Sequence, residues 1–335
     1  SRAGSSKAGA GRRESSGVRM PERIAQRPAA ALEPASRDRE DAPMPSLAAR
    51  LLLLCVVPLA AVGPALLPGR RLLPLDPTSF EPLASETPRE ARLRDHAPQP
   101  NRLAVDALFP LLSDRVAVRE RVLAGELPLW DARLGLGAPL LGGTMAGPLY
   151  PPGVLRLLLP PDRAAAWHAL LALVLAGAGL WAFLERRGVA PEACAVGALA
   201  LQAGAWGLAN VHLAPKLDAA LWLPWSLWAV DGVLARRRGA GLSLTLSIAF
   251  AFLAGFPGVA AFGLTTTLVY ALVRASTLST GPGPLVHALT FLGLGLATAG
   301  VQLLPTAATS AGSLRSPLTA AEVEAQSLPL GTSLG

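Results

Sequence analysis

Ionisable side chains beside apolar segments are the candidates for chemistry in this sequence, because a charge next to hydrocarbon is costly and is usually retained for a function. Asp106 stands at the start of a helical pattern that follows a long polar stretch. Its carboxylate could accept a proton from a substrate hydroxyl, or help to hold a divalent cation. The competing interpretation is an N-terminal acid that the helix dipole favours.

Two more acids, Glu126 and Asp131, flank a Leu-Pro-Leu-Trp turn that ends at Trp130. Contact with a substrate and capping of the turn are equally good interpretations of both carboxylates. Trp130 is the kind of aromatic residue that lies at the depth of lipid headgroups. These residues therefore indicate chemistry at a membrane surface or simply an ordered turn.

A second group of ionisable residues lies near the ends of apolar segments, at His168, His212, Lys216 and Asp218. We interpret an isolated histidine at such a place as a solvated interfacial residue. Lys216 and Asp218 are two residues apart, and they could neutralise each other.

Signatures of soluble enzymes are absent from the sequence, which has no P-loop, GxSxG, HExxH or dinucleotide-binding fingerprint. Cys55 and Cys194 have no CxxC or Cys/His neighbour, so we expect small buried side chains rather than a metal or redox site. The net charge is +7, but no basic face with interleaved aromatic residues is present. Nucleic acid is therefore excluded as a partner.

The elements that must position these residues are membrane helices. The sequence has 335 residues, of which 51% are hydrophobic and only 16% charged, with a mean hydropathy of +0.42. A soluble domain of this size needs more surface charge. We predict an all-α polytopic transmembrane helical bundle with membrane lipid around it.

Seven segments are long and apolar enough, or nearly so, for a span of about 20 residues. They are residues 47–67, 164–184, 193–211, 217–234, 242–256, 259–273 and 285–304. The first could also be a cleaved signal peptide, although its apolar run is long for one. A tight Gly-Phe-Pro-Gly turn is predicted between the fifth and sixth.

Arginine residues alternate between the segments in the pattern that the positive-inside rule requires. The N-terminal tail, the Glu185-Arg186-Arg187 turn, the Arg236-Arg237-Arg238 turn and Arg274 then face the cytoplasm. We therefore predict a multi-pass protein of an inner-membrane type with its N-terminus in the cytoplasm.

Outside the spans we predict two further parts. Residues 1–43 are a basic tail that we expect to be disordered, with Met44 as an alternative start of the protein. Residues 68–163 form a long outer loop, and residues 103–123 within it fit an amphipathic surface helix. On that helix Leu108 and Leu123 fall near the apolar face, and Arg115 and Arg119 on the polar one.

Several segments together resemble the YfhO-like family of bacterial membrane proteins. They are Glu-Leu-Pro-Leu-Trp-Asp at 126–131, Leu-Tyr-Pro-Pro at 149–152, Ala-Leu-Trp-Leu-Pro-Trp at 220–225, Val-Gln-Leu-Leu-Pro at 301–305, and Ser-Leu-Arg at 313–315. Asp106 with the Phe-Pro pair at 109–110 also fits. The order and spacing agree from about residue 47 to 315. The family has His and Gln where this chain has Phe256 and Gly258, and its proteins are longer.

The resemblance implies a glycosyltransferase of the GT-C class, which transfers a sugar from a polyprenyl-phosphate donor to a cell-envelope glycan or glycolipid acceptor at the outer face. It implies that Asp106 is the catalytic base, and leaves the metal open, with a divalent cation as one candidate. The expected substrate-binding residues are Arg102, Arg115, Arg119, Glu126, Trp130, Asp131, Tyr150, His212 and Lys216.

Two other functions remain open on the sequence alone. One is a transporter, flippase or assembly component for lipid-linked saccharides, which should place ionisable groups and broken helices near the membrane midplane. The other is an inactive scaffold, which the departures at Phe256 and Gly258 allow. The gathering of acids in the outer loop favours surface chemistry over transport.

Overall fold

The computed structural model describes residues 46–73, 102–133, 136–278 and 281–312, without the side chains of 102–104 and 162. The predicted basic tail, residues 1–43, lies outside the described residues. In the described part the chain is mostly helical, with a single short pair of antiparallel strands. The predicted all-α class is confirmed at this level.

The long helices, in chain order, are α1 (Leu47–Val62), α4 (Pro161–Arg186), α5 (Pro191–Ala203), α7 (Ala214–Leu234), α8 (Ala240–Leu253), α9 (Pro257–Leu278) and α10 (Pro282–Ala311). A short helix α6 (Ala205–Ala209) continues α5 after a break at Gly204. Four of these helices begin at a proline, which lacks the N–H that a helix start leaves unpaired and has a helical φ already.

The loop between α1 and α4 has its own short elements. A 3₁₀ turn (Arg102–Ala107) and a π turn (Leu108–Leu112) lead into α2 (Ser113–Leu123). Strand β1 (Trp130–Asp131) then pairs antiparallel with β2 (Ala138–Pro139), with Trp130 opposite Pro139. A 3₁₀ turn (Pro151–Val154) and α3 (Leu155–Leu158) complete the connection to α4.

Five helical segments in the described part are long and apolar enough to cross a membrane: Leu47–Leu66, Arg163–Arg186, Pro191–Ala209, Pro257–Leu278 and Pro282–Ala311. They coincide with five of the seven predicted spans. The predicted span 217–234 is the helix α7, which carries Lys216, Asp218 and Asp231. The predicted span 242–256 is the 14-residue helix α8. Seven spans therefore remain a prediction.

Helix α7 is the centre of the bundle, because it packs against α4, α8, α9 and α10. Its buried residues join an apolar core that reaches from Ala229 to Ala299. Buried hydrogen bonds also join the helices. Ser226 shares a hydrogen bond of 2.6 Å with Thr267, and Gln202 donates to the carbonyl oxygens of Leu54 and Leu173.

Arginine residues gather at one end of the bundle. Arg50 at the start of α1 pairs with Glu185 at the end of α4, at 2.9 Å. Asp231 near the end of α7 pairs with Arg274 near the end of α9, at 3.2 Å. The turn 236–238 follows α7 at the same end. This distribution is the one that the predicted orientation requires.

The predicted helix over 103–123 is only partly regular, and the prediction that Arg115 lies on an exposed polar face is wrong. Leu123 is 61% exposed, whereas the face that carries Leu111, Arg115 and Val118 is turned into the protein. Within α2, Ala117 and Val118 pack against Leu140 and Ala146 of the loop that follows β2, and this packing turns the Arg115 side of the helix inward. Arg115 therefore lies on the inner side.

The turn between α8 and α9 contacts the loop that follows β2, as the close approach of Gly255 and Thr144 shows. Gly255 has a φ of +99°, and a Cβ there would overlap the carbonyl oxygen of Thr144. Gly147 approaches the Ala254 carbonyl in the same way. A turn joins α8 to α9 at residues 254–256, where the sequence predicts one, whereas Pro257 and Gly258 already belong to α9. The absence of a side chain at Gly255 allows the Thr144 carbonyl to approach.

We expect Gly255→Ala to lower stability by about 1–3 kcal/mol, because it combines a strained backbone with a clash against Thr144. Gly263→Ala is the matched control, since it has a helical φ in α9 and open space around it. The thermal midpoints of both variants in detergent check this. Equal midpoints would contradict the proposed seating of the loop.

Candidate functional site

A histidine and an aspartate form a buried pair between α4 and α7. The Nε2 atom of His168 lies 2.9 and 2.7 Å from the two carboxylate oxygens of Asp218, and each side chain is 1% exposed. A carboxylate can only accept, so Nε2 carries the proton and donates it. The Nδ1 atom has no partner in the described part, which favours the neutral imidazole because a second N–H would be unsatisfied.

Arg156, on α3, is the second buried partner of this carboxylate. Its Nη2 atom lies 3.6 Å from Asp218, and its Nη1 donates to the Ala146 carbonyl at 3.3 Å. The guanidinium also lies over the Tyr150 ring, 5.8 Å from its centroid. Gly153 leaves the space for it, because a Cβ there would meet the guanidinium. Burial lowers the pKa of Arg156, and Asp218 opposes that shift.

Tyr150 closes one side of the cluster. Its hydroxyl accepts a hydrogen bond of 3.0 Å from the Trp222 indole on α7, one helical turn beyond Asp218. The Tyr150 ring also meets His168 edge-on, at 6.3 Å between centroids. Burial and the nearby negative charge raise the pKa of Tyr150 well above its usual value, so the hydroxyl stays neutral.

Arg115, on α2, is the second cationic member of the cluster. Its Nε and Nη2 atoms are sealed from solvent and have no hydrogen-bond partner in the described residues. Burial, and then the like charge of Arg156, hold the pKa of Arg115 well below its usual value. A guanidinium nevertheless keeps its proton in proteins. The lowered pKa of Arg115 therefore reflects the free-energy cost of burying its positive charge without a paired anion.

Both arginines line one cavity of about 270 Å³. Its other walls come mainly from the loop and turn between Ala146 and Leu157, with Val118 of α2 opposite. Two guanidinium groups face a single carboxylate, and the imidazole is neutral, so the cluster carries one uncompensated positive charge. A buried cation without a partner is strongly disfavoured. The cavity is therefore suited to an anion that accepts hydrogen bonds, as a phosphate does.

The predicted catalytic residue, Asp106, lies in the 3₁₀ turn before α2 and is exposed. Its neighbour Ala107 lines a small cavity that Arg115 also reaches. Arg102 begins the same turn, but its side chain lies outside the described residues. Arg119 follows Arg115 by one turn, and its Nε atom is also buried without a partner. The two described arginines of this predicted set are thus both turned inward.

The predicted loop residues other than Tyr150 have structural partners. Asp131 is buried and accepts from both the backbone N–H and the side chain of Arg133, which lowers the pKa of its carboxyl group. Glu126 pairs with Arg121 at 2.8 Å on the surface. The indole of Trp130 lies against Gly137. For Asp131, turn capping is therefore the interpretation that the geometry favours.

The suggested pair of Lys216 and Asp218 is wrong. Lys216 lies over the Phe256 ring, at 5.2 Å, while Asp218 points to His168 and Arg156. Residues two apart on a helix face different directions, which explains the error. His168 is likewise buried rather than interfacial. His212 lines the small cavity shared with Arg115, and burial, then the charge of Lys216, lowers its pKa.

Sequence reasoning missed Arg156 and the role of Trp222. A signal for Arg156 was present, because it is a single charge inside the apolar run 154–159. Such a charge next to a span calls for a buried partner. The partner itself, 62 residues later in the chain, is brought close only by the packing of α4 against α7.

Among the described residues, no three His, Cys, Asp or Glu side chains come together as metal ligands. Comparisons of the chain with protein-family models, with curated proteins and with solved structures found no match.

We expect Asp218→Asn to destabilise the protein by about 3–5 kcal/mol, because it leaves two buried guanidinium groups without their carboxylate. Glu126→Gln is the matched carboxyl-to-amide control, and loss of its exposed pair should change stability by less than about 1 kcal/mol. Chemical unfolding in detergent measures both. A similar, small effect of the two substitutions would contradict the charge balance described above.

Proposed function

We propose that this protein is a GT-C-type membrane glycosyltransferase, similar to the YfhO-like proteins. It transfers a sugar from a polyprenyl-phosphate donor to a cell-envelope acceptor. The observation that carries this proposal is the cavity lined by both Arg115 and Arg156, near which Asp218 supplies one carboxylate. The apolar helices that are long enough to cross a membrane support a lipid-linked donor.

Charge supports a phosphodiester as the bound group. A sugar joined to a lipid through one phosphate carries a single negative charge, which would compensate the one positive charge that the cluster leaves. Guanidinium groups bind phosphate oxygens with paired hydrogen bonds, and Arg115 and Arg156 both have buried nitrogen atoms that make no hydrogen bond in the described part. The phosphate would lie beside the Tyr150 ring.

In the proposed reaction, Asp106 acts on the acceptor and the two guanidinium groups act on the phosphate of the donor. Asp106 removes the proton from the acceptor hydroxyl, and the oxygen then attacks the anomeric carbon of the sugar. The bond between that carbon and the phosphate oxygen breaks, and its electron pair stays on the phosphate. The two guanidinium groups stabilise the charge that develops there. Asp106 is exposed, so an acceptor can reach it.

The proposed orientation in the membrane is based on the position of the arginine residues at one end of the bundle. The Arg-rich end of the bundle faces the cytoplasm, with the N-terminus on that side, and the cavity lies at the outer face of a bacterial inner membrane. Lipid, the lipid-linked donor and a cell-envelope glycan or glycolipid are the partners.

Transport of a lipid-linked saccharide is the second candidate, and the His168–Asp218 pair favours it. The pair is buried between α4 and α7. Ionisable pairs inside helical bundles often mark proton pathways in transporters. A transporter would move the donor across the membrane without transferring its sugar.

We expect membranes that contain the full-length protein to transfer a radiolabelled sugar from a polyprenyl-phosphate donor set. Arg115→Gln should lower transfer by about a hundredfold or more, because it removes a donor to the phosphate. Asp106→Asn should lower transfer while the donor still binds. Arg121→Gln, on the exposed face of the same helix, is the control and should leave transfer unchanged.

The outcomes separate the candidates. Transfer that survives in Asp106→Asn would remove this residue as the base. Equal transfer in Arg115→Gln and Arg121→Gln would contradict the phosphate site. Donor binding and pH-dependent movement across vesicles, without any transfer, would favour the transporter.

A further inference from the structure

The Arg-rich end of the bundle, opposite the cavity described above, has a basic cavity of its own. It measures about 380 Å³ and lies between the α7–α8 turn and the first turns of α10. Arg236, Arg237 and His287 supply its polar lining, and Leu242 with Phe291 supply an apolar wall. The Arg115 cluster and the proposed transfer reaction make no use of this cavity.

Arg236 has an unusual backbone conformation for an arginine. It has a φ of +55° and follows the end of α7. The N–H of Arg236 bonds to the Val233 carbonyl, and the N–H of Arg237 to the Gly232 carbonyl. These two bonds define a Schellman motif, in which glycine is the preferred residue at the left-handed position. An arginine there is disfavoured by the backbone, which points to a use for its side chain.

In the described part of the chain, no carboxylate forms an ion pair with the side chain of Arg236. Of the acids at this end, Glu185 pairs with Arg50 and Asp231 with Arg274, while Glu192, in the first turn of α5, does not line the cavity. Neither Arg236 nor Arg237 has an ion pair among the described residues. Arg186 adds further positive charge next to Arg237. The cavity therefore concentrates positive charge that an external anion can neutralise.

The apolar wall continues along the helices away from the arginines. The Phe291 ring lies against Gly241, where any Cβ would overlap it, and Thr245 donates to the Phe291 carbonyl at 3.2 Å. Leu242 is 62% exposed and Leu246 lies one turn further along α8 with 37% exposed. Phosphate-binding groups thus adjoin an exposed apolar strip, which matches a headgroup followed by acyl chains.

We propose that this cavity binds the phosphate of an anionic phospholipid headgroup, with the acyl chains along Leu242 and Leu246. Basic pockets between helices at a membrane surface are suited to such headgroups. The adjoining apolar strip favours a lipid over a soluble phosphate compound. Occupancy stabilises the α7–α8 turn against α10 without a role in sugar transfer.

The test is native mass spectrometry of the full chain in detergent, titrated with phosphatidylglycerol or with phosphatidylcholine. Phosphatidylglycerol should bind more tightly. Arg236→Gly and Arg237→Gln should each weaken it about fivefold, which is the effect of one arginine near an anionic surface. Arg236→Gly should keep or raise the thermal midpoint, because glycine suits the left-handed position.

Arg238→Gln is the control, since it removes the same charge from the same turn but from outside the cavity lining. It should change binding by less than about twofold, because exposed charges are screened. Equal losses in Arg236→Gly and Arg238→Gln would contradict the proposal and indicate a general charge effect. Equal binding of phosphatidylcholine would also contradict it. Displacement by glycerol 3-phosphate as effective as that by lipid would identify a soluble phosphate ligand instead.

Discussion

The arrangement at the loop-bearing end depends on the single carboxylate of Asp218. This side chain accepts a hydrogen bond from His168 and lies within 3.6 Å of Arg156, and all three side chains are buried. Arg115 lies within the electrostatic reach of the same charge. With two guanidinium groups and one carboxylate, the cluster has a net charge of one positive unit. This uncompensated positive charge is the physical basis for proposing a bound phosphate.

The fold fixes this cluster through elements that are far apart in the chain. Helix α7 is the best-buried helix of the bundle and therefore a rigid support for Asp218 and Trp222. The loop that carries Tyr150 and Arg156 is seated by the close approach of glycine backbones to the α8–α9 turn. Stability in the bundle and geometry at the cavity are thus linked, since a shift of that loop would move both the Tyr150 ring and the guanidinium of Arg156.

The sequence was sufficient for the long apolar helices, because their length and composition alone exclude other structures. It also located the Gly-Phe-Pro-Gly turn and the arginines at one end. It failed for the side-chain pairs. Asp218 was assigned to Lys216, its near neighbour in the chain, whereas the real partners come from other helices. A helical wheel puts Arg115 on the polar face, because the sequence does not show that the loop after β2 packs on that side of α2. Such partners depend on tertiary packing.

The two ends of the bundle use the same chemistry for different proposed ligands, with buried guanidinium groups at one end and a strained arginine turn at the other. The most direct test of the central claim is an experimental structure of the protein in a lipid nanodisc with a polyprenyl phosphate. The account predicts phosphate density within hydrogen-bonding distance of both Arg115 and Arg156, beside Tyr150. Phosphate density elsewhere, with no contact to either guanidinium group, would contradict it.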